Sequence, residues 1–168
     1  MNSPPGLKSI QRRLIGNGAL LIFLAGVLGF GFLFFLLGEI KLWPIPGHIA
    51  YQMPGSVKAW RMAHLEGVIN GLILWISALL MPLLPFTLAA LRRMALGLIV
   101  VGWTFTIASA FDALFPDSRG LAFGGPLSNQ LAFFMFYVGV VIVMAIMASI
   151  AYRTLFTTPS EESAQVPR

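Results

Sequence analysis

The sequence predicts an all-α integral membrane protein, a bundle of four transmembrane helices. Three observations lead there. Of the 168 residues, 58% are hydrophobic and only 10% are charged, whereas a soluble domain carries about 25% charged and about 45–50% apolar residues. Four apolar runs are each long enough to cross a hydrocarbon core of about 30 Å at about 1.5 Å per residue. The runs are continuous and lack the alternation of lipid-facing barrel strands.

The first span is Leu14–Leu37. It follows a polar, basic N-terminus and is too long for the apolar core of a cleaved signal peptide, so it reads as a retained helix. The second span covers about 59–84, the third about 88–114 and the fourth about 127–152. Residues 1–156 form one transmembrane domain in this reading. Residues 157–168 are polar, contain two prolines and read as a disordered tail.

The basic residues divide unevenly between the two sides. Lys8, Arg12, Arg13, Arg92, Arg93, Arg153 and Arg168 fall on one side, and Lys41, Lys58, Arg61 and Arg119 on the other. By the positive-inside rule both termini are cytoplasmic, in a bacterial-type inner membrane. The net charge of +5 belongs to topology and lipid headgroups. No basic groove with interleaved aromatics points to nucleic acid. The absence of cysteine excludes disulfides, iron–sulfur clusters, thiolate haem ligation and covalent c-type haem.

Two connections are unusual. Gly38–Lys58 carries three prolines and many apolar residues. It reads as an ordered cap on the bundle with Trp43 and Tyr51 at interfacial depth, either an anchor or a binding loop. Phe115–Pro126 is glycine-rich and suited to tight turns. Both lie at the end of the bundle where the second helix begins.

That helix begins Arg61-Met-Ala-His-Leu-Glu-Gly-Val-Ile-Asn-Gly71. Polar groups at such depth are costly, and they commonly face the protein interior and act there. On a helical wheel Glu66 and Asn70 lie about 200° and 240° from His64, while Gly67 and Gly71 lie at about 300° and 340°. Glu66 and Asn70 therefore share a face and can pair. His64 sits beside a Gly-x-x-x-Gly stripe that serves helix packing or close approach of a flat group.

His64 is either a buried histidine bonded to a carbonyl or a metal ligand. A bare zinc or iron site needs three or four ligands. The chain offers only one other histidine, His48, and six acids, of which Glu161 and Glu162 are in the tail. A b-type haem needs a single axial ligand, so ligand supply favours haem over a bare ion if a metal is bound. Asp112, near the end of the third helix, reads as a helix-end residue or a site carboxylate.

Taken together, Pro46–Ile49, Pro54–Ser56, Trp60-Arg61, Ala63–Gly71, Gly102-Trp103 and Arg119–Gly124 resemble the hydroxylaminobenzene mutases and the related styrene oxide isomerases. The resemblance implies a small four-helix membrane isomerase assembled as a homo-oligomer, most simply a trimer. It implies haem b with His64 as axial ligand and Asn70 at the substrate pocket. It also implies a small hydrophobic, aromatic epoxide as substrate, rearranged to an aldehyde by Lewis-acid catalysis and hydride shift. A mutase-type isomerisation is the alternative, as is a non-enzymatic haem-binding electron-transfer or sensor subunit. The isomerases carry an Asp just before Gly-Trp, where this chain has Val101, and a Tyr later in the third helix, where it has Ser109 and Ala110. Asp112 is the carboxylate left to fill that catalytic set beside Asn70.

Overall fold

The structure is a computed structural model and describes residues 5–156. The expected disordered tail at 157–168 lies outside the described residues. The chain forms α1 (Pro5–Leu37), a two-strand hairpin of β1 (Glu39–Ile40) and β2 (Ile49–Ala50), α2 (Val57–Leu80), a 3-10 turn at Met81–Leu83, α3 (Leu88–Leu114) and α4 (Leu127–Phe156). All four α-helices are long and apolar enough to cross a membrane, and the chain is a multi-pass membrane protein. Their flanks carry large apolar side chains to the outside, such as Phe23, Leu79 and Phe134, as a lipid-facing surface requires.

The helices run up, down, up, down. The start of α1 meets the start of α3 at Gly6 and Leu88, and the start of α2 meets the end of α3 at Gly55 and Ala113. Arg153, late in α4, lies over the Phe86 ring just before α3. One end of the bundle therefore carries both helical termini and the α2–α3 turn. The other carries the hairpin and the α3–α4 loop.

α1 begins at Pro5, well before the apolar run at Leu14. Proline suits a first helical turn, where its missing N–H has no partner to lose. Leu7, Ile10 and Leu14 are buried at helical spacing, while Lys8, Arg12 and Arg13 are exposed. The extension is thus amphipathic, and an average over all faces hides it. Gln11 Nε2 ties it to the end of α2 by donating to Ala78 O at 2.9 Å. α2 starts on Ser56, whose Oγ accepts from Ala59 N at 3.2 Å, and α3 on Thr87, whose Oγ1 accepts from Ala90 N at 3.3 Å. Both are side-chain N-caps that satisfy first-turn N–H groups.

Small residues set the α1–α2 distance. A methyl group on Gly67 would lie 2.8 Å from Ala25 Cβ, one on Gly71 2.7 Å from Gly18 O, and one on Gly29 2.9 Å from His64 Nδ1. Further along, Gly31 receives the six-membered ring of Trp60. Lipid tails are as apolar as leucine, so close backbone approach and van der Waals contact replace the hydrophobic effect here. Trp75 Nε1 donates across the same seam to Ile15 O at 3.0 Å, and Trp103 Nε1 joins α3 to α1 by donating to Asn17 Oδ1 at 2.9 Å. On the other side of the bundle, Gly97 of α3 faces Ile142 and Ile146, and Gly139 of α4 faces Phe105.

The first connection divides in two. Residues 41–50 are exposed throughout, with Trp43 94% exposed, so this half stands clear of the bundle instead of lying on it as a cap. Its own ladder, Glu39 opposite Ala50 and Ile40 opposite Ile49, pairs the backbone without help from the helices. The second half docks. Gln52 Nε2 donates to Phe35 O at 3.1 Å, Trp60 Nε1 donates to Pro54 O at 2.7 Å, and Gly55, at φ +97°, approaches Ala113 O more closely than a side chain would permit.

The seam gives a direct test. Gly67→Leu is expected to lower the thermal midpoint of the detergent-solubilised protein, at an overpacking cost of about 1–3 kcal/mol. Gly16→Leu, where an added methyl meets nothing within 4 Å, is expected to leave it unchanged. Equal effects would contradict the close α1–α2 packing.

Candidate functional site

α2 is the least apolar of the four spans, because it carries His64, Glu66 and Asn70. The structure distributes these residues over two faces of the helix. His64 looks toward α1. Its Nδ1 lies 2.8 Å from Ala25 O, with Gly29 leaving room for the ring edge. A carbonyl oxygen can only accept, so Nδ1 carries the proton. In the neutral form of the ring the unshared pair is then on Nε2, which has no hydrogen-bond partner among the described residues. The contact is that of a carbonyl-bonded histidine, and it is also compatible with a metal ligand oriented through its second nitrogen. The ring is half-buried.

Asn70 looks the other way, toward α3, with its Cβ near the site of the absent Gly102 Cβ (3.6 Å). Its Nδ2 donates to Glu66 O at 2.8 Å and to Glu66 Oε2 at 2.9 Å. The backbone carbonyl fixes which end of the amide faces Glu66, because it cannot donate. Both amide protons are thereby engaged one turn back, as the shared face predicts, and Oδ1 remains as an acceptor. Asn70 is buried, as is Leu74, which meets the same Gly102 position of α3; Thr106, one turn further along α3, is buried as well. Thr106 Oγ1 donates to Gly102 O at 2.8 Å, so its hydroxyl serves the helix backbone.

Asp112 ends up at the loop end of α3. Its Oδ1 accepts from Ser118 Oγ at 3.5 Å, a long contact that links the helix end to the α3–α4 loop. Of the positions that the resemblance marks on α3, Val101 and Ser109 are buried and Ala110 is half-buried. His48 is on the exposed hairpin, 3.9 Å from Glu39 Oε2. Among the described residues no group of three or more His, Cys, Asp or Glu could hold a metal ion. His64 is the candidate ligand, and a site around it needs a cofactor that accepts one protein donor.

One organising residue is not legible from the spans. Asn129, in the first turn of α4, gathers the whole α3–α4 loop. Its Oδ1 accepts from Arg119 N and Gly120 N, both at 2.9 Å, and its Nδ2 donates to Ala122 O at 2.9 Å and Gly124 O at 2.8 Å. Gln130 Nε2 adds a bond to Gly125 O at 2.9 Å. The signal was an asparagine just beyond a Gly-rich loop, since its short amide can substitute for turn hydrogen bonds. Leu121 and Phe123 on this loop are strongly exposed.

Comparison with known proteins agrees with this architecture. The family model described as styrene oxide isomerase matches residues 10–155. A styrene-oxide isomerase from Pseudomonas fluorescens is 31% identical over 166 residues, spanning 94% of this chain and 95% of the relative.

The Asn129 knot is testable without any substrate. Asn129→Ala strands backbone groups that cost about 1–3 kcal/mol each when unsatisfied. Trypsin is expected to cut after Arg119, exposed in the loop, markedly faster in this variant than in the parent. Unchanged cleavage would contradict the role assigned to Asn129.

Proposed function

Since the chain belongs to the styrene oxide isomerase family and is an isomerase of the membrane, we propose that it rearranges a small hydrophobic, aromatic epoxide to an aldehyde, with haem b held by His64. The observation that carries the haem assignment is the 2.8 Å contact of His64 Nδ1 with Ala25 O. With the neutral ring donating there, Nε2 is the nitrogen that could ligate the iron. Ligand supply points the same way, because a b-type haem takes a single axial donor from the chain. Bound there, haem iron would supply a Lewis acid that polarises the substrate oxygen.

The remaining work falls to the chain. The rearrangement is internal to the substrate. One C–O bond opens, a hydride moves to that carbon from its neighbour, and a carbonyl forms, so neither electrons nor water are consumed. Exclusion of water is therefore the main demand on the pocket, and the burial of Asn70 beside Leu74 supports it. Asn70 faces α3 while His64 faces α1. In this reading Asn70 Oδ1, left free by Glu66, would offer the negative end of a dipole to positive charge developing on carbon. Asp112 is the second polar group in this reading, tethered by Ser118 on the same end of the bundle as His64.

Assembly and orientation follow the same reading. His64 is half-buried in one chain, and a further copy in a homo-oligomer, most simply a trimer, would complete its enclosure. Lys8, Arg12, Arg13, Arg92, Arg93 and Arg153 gather at the end that carries the termini, which supports cytoplasmic termini in a bacterial-type inner membrane.

A mutase-type isomerisation of an aryl hydroxylamine is the second reading, and one observation favours it. Asn70 presents an acceptor, and a hydroxylamine has N–H and O–H groups to donate, whereas an epoxide has none. Detergent-purified, haem-supplied protein should be assayed against styrene oxide and phenylhydroxylamine side by side. Turnover of styrene oxide to the aldehyde supports the first reading, and conversion of phenylhydroxylamine alone to an aminophenol supports the second.

His64→Ala is expected to lose both the Soret band and activity. Asn70→Ala is expected to keep the band and lose about 10- to 100-fold in kcat, the worth of one hydrogen bond or dipole contact of about 1–3 kcal/mol. A full Soret band in His64→Ala would overturn the ligand assignment.

A further inference from the structure

At the end of the bundle away from His64, α1 and α3 touch at Gly6–Leu88 and again at Leu21–Gly102. Between these contacts Ile10 and Leu14 pack against Leu91 and Ala95, and beside that packed seam a half-open hollow of about 600 Å³ lies between the two helices. Arg13, Arg92 and Arg93 line it, together with Ile10, Leu96 and Asn17. The three arginines and Leu96 are exposed, whereas Ile10 is buried, so the charged side chains lie at the rim. Asn17 closes the deep end: its Oδ1 accepts from Trp103 Nε1 at 2.9 Å and its Nδ2 donates to Arg13 O at 2.9 Å. A second hollow, lined by Lys8, Ser9, Arg12 and Arg13, adjoins the first along α1. The described carboxylates, Glu39, Glu66, Asp112 and Asp117, all belong to the half of the bundle that carries the hairpin. No carboxylate among the described residues faces the arginines.

We propose that this α1–α3 cavity binds an anionic phospholipid, with its phosphate on Arg13, Arg92 and Arg93 and an acyl chain along Ile10 and Leu96. The chemistry is amphipathic in the order a lipid requires. Planar guanidinium groups that match phosphate oxygens stand at headgroup depth, and apolar side chains line the wall that continues into the span. Topology alone asks for positive charge on this side. It does not ask for a cavity between two helices with arginines from both on its rim, and basic pockets of that kind take up anionic headgroups. The occupant would also add contacts to both α1 and α3 along the outside of their packed seam, stabilising the end of the bundle opposite the proposed catalytic site.

Native mass spectrometry of the full-length protein tests this, after detergent exchange with equimolar phosphatidylglycerol and phosphatidylcholine. Selective retention of phosphatidylglycerol is expected. Arg13→Gln and Arg93→Gln are each expected to weaken it about fivefold, the worth of one basic residue at a lipid surface. Arg153→Gln, which removes a charge at the same end of the bundle but outside the cavity, should leave retention unchanged. Leu96→Glu, which puts a carboxylate in the mouth and spares the arginines, should abolish selectivity, with elution volume and helical circular dichroism confirming the fold of each variant. Excess inorganic phosphate should fail to displace the lipid. Equal retention of both lipids, an Arg153→Gln loss as large as that of Arg13→Gln, or full displacement by phosphate would each overturn the proposal.

Discussion

The structure depends most on the closeness of α1 to α2. Gly18, Ala25 and Gly29 of α1 face Gly71, Gly67 and His64 of α2, and the two backbones approach to a distance that side chains would forbid. In a bilayer this contact supplies packing energy that hydrophobic burial cannot. It also brings Ala25 O within 2.8 Å of His64 Nδ1. One constraint therefore holds the bundle together and sets which nitrogen of the histidine is available for chemistry. The seam that reads as structure and the histidine that reads as function are a single device.

The second face of α2 works differently. Asn70 is held by Glu66 one turn earlier, so its orientation comes from its own helix and does not rely on the α1 contact. His64 and Asn70 can accordingly be perturbed independently, which makes the two roles proposed for them separately testable. Asp112 belongs to a third system, the helix end and loop gathered by Ser118 and Asn129. The proposed site thus draws on three local frameworks, and α2 carries two of them.

Much of this was legible in the chain. The four apolar runs state the fold, because a spanning segment must satisfy its backbone internally and a helix does so without partners. The pairing of Glu66 with Asn70, and the use of Gly67 and Gly71 as contact positions, follow from a 100° rotation per residue. What was hidden depended on long-range geometry. Leu7 and Ile10 extend α1 on one face only, which an average over all faces cannot register. The bonds of Gln11 to Ala78 O, Asn17 to Trp103 and Asn129 to its loop join residues whose proximity no local pattern announces. The hairpin at 39–50 stands free because it satisfies its own backbone, whereas its proline and apolar content suggested a cap. The comparisons establish the family, and the roles of His64, Asn70 and Asp112 within it remain proposals resting on the contacts each one makes.

The central claim is that the α1 carbonyl places the proton of the neutral His64 ring on Nδ1. The ¹⁵N spectrum of histidine-labelled, haem-free protein reads this directly. The chain has only two histidines, so a His48→Ala background isolates His64. The account predicts that the protonated ring nitrogen is Nδ1 and that Gly29→Ala, whose methyl would crowd Nδ1 at 2.9 Å, disturbs its signal. A proton on Nε2, or a signal indifferent to Gly29→Ala, would contradict it.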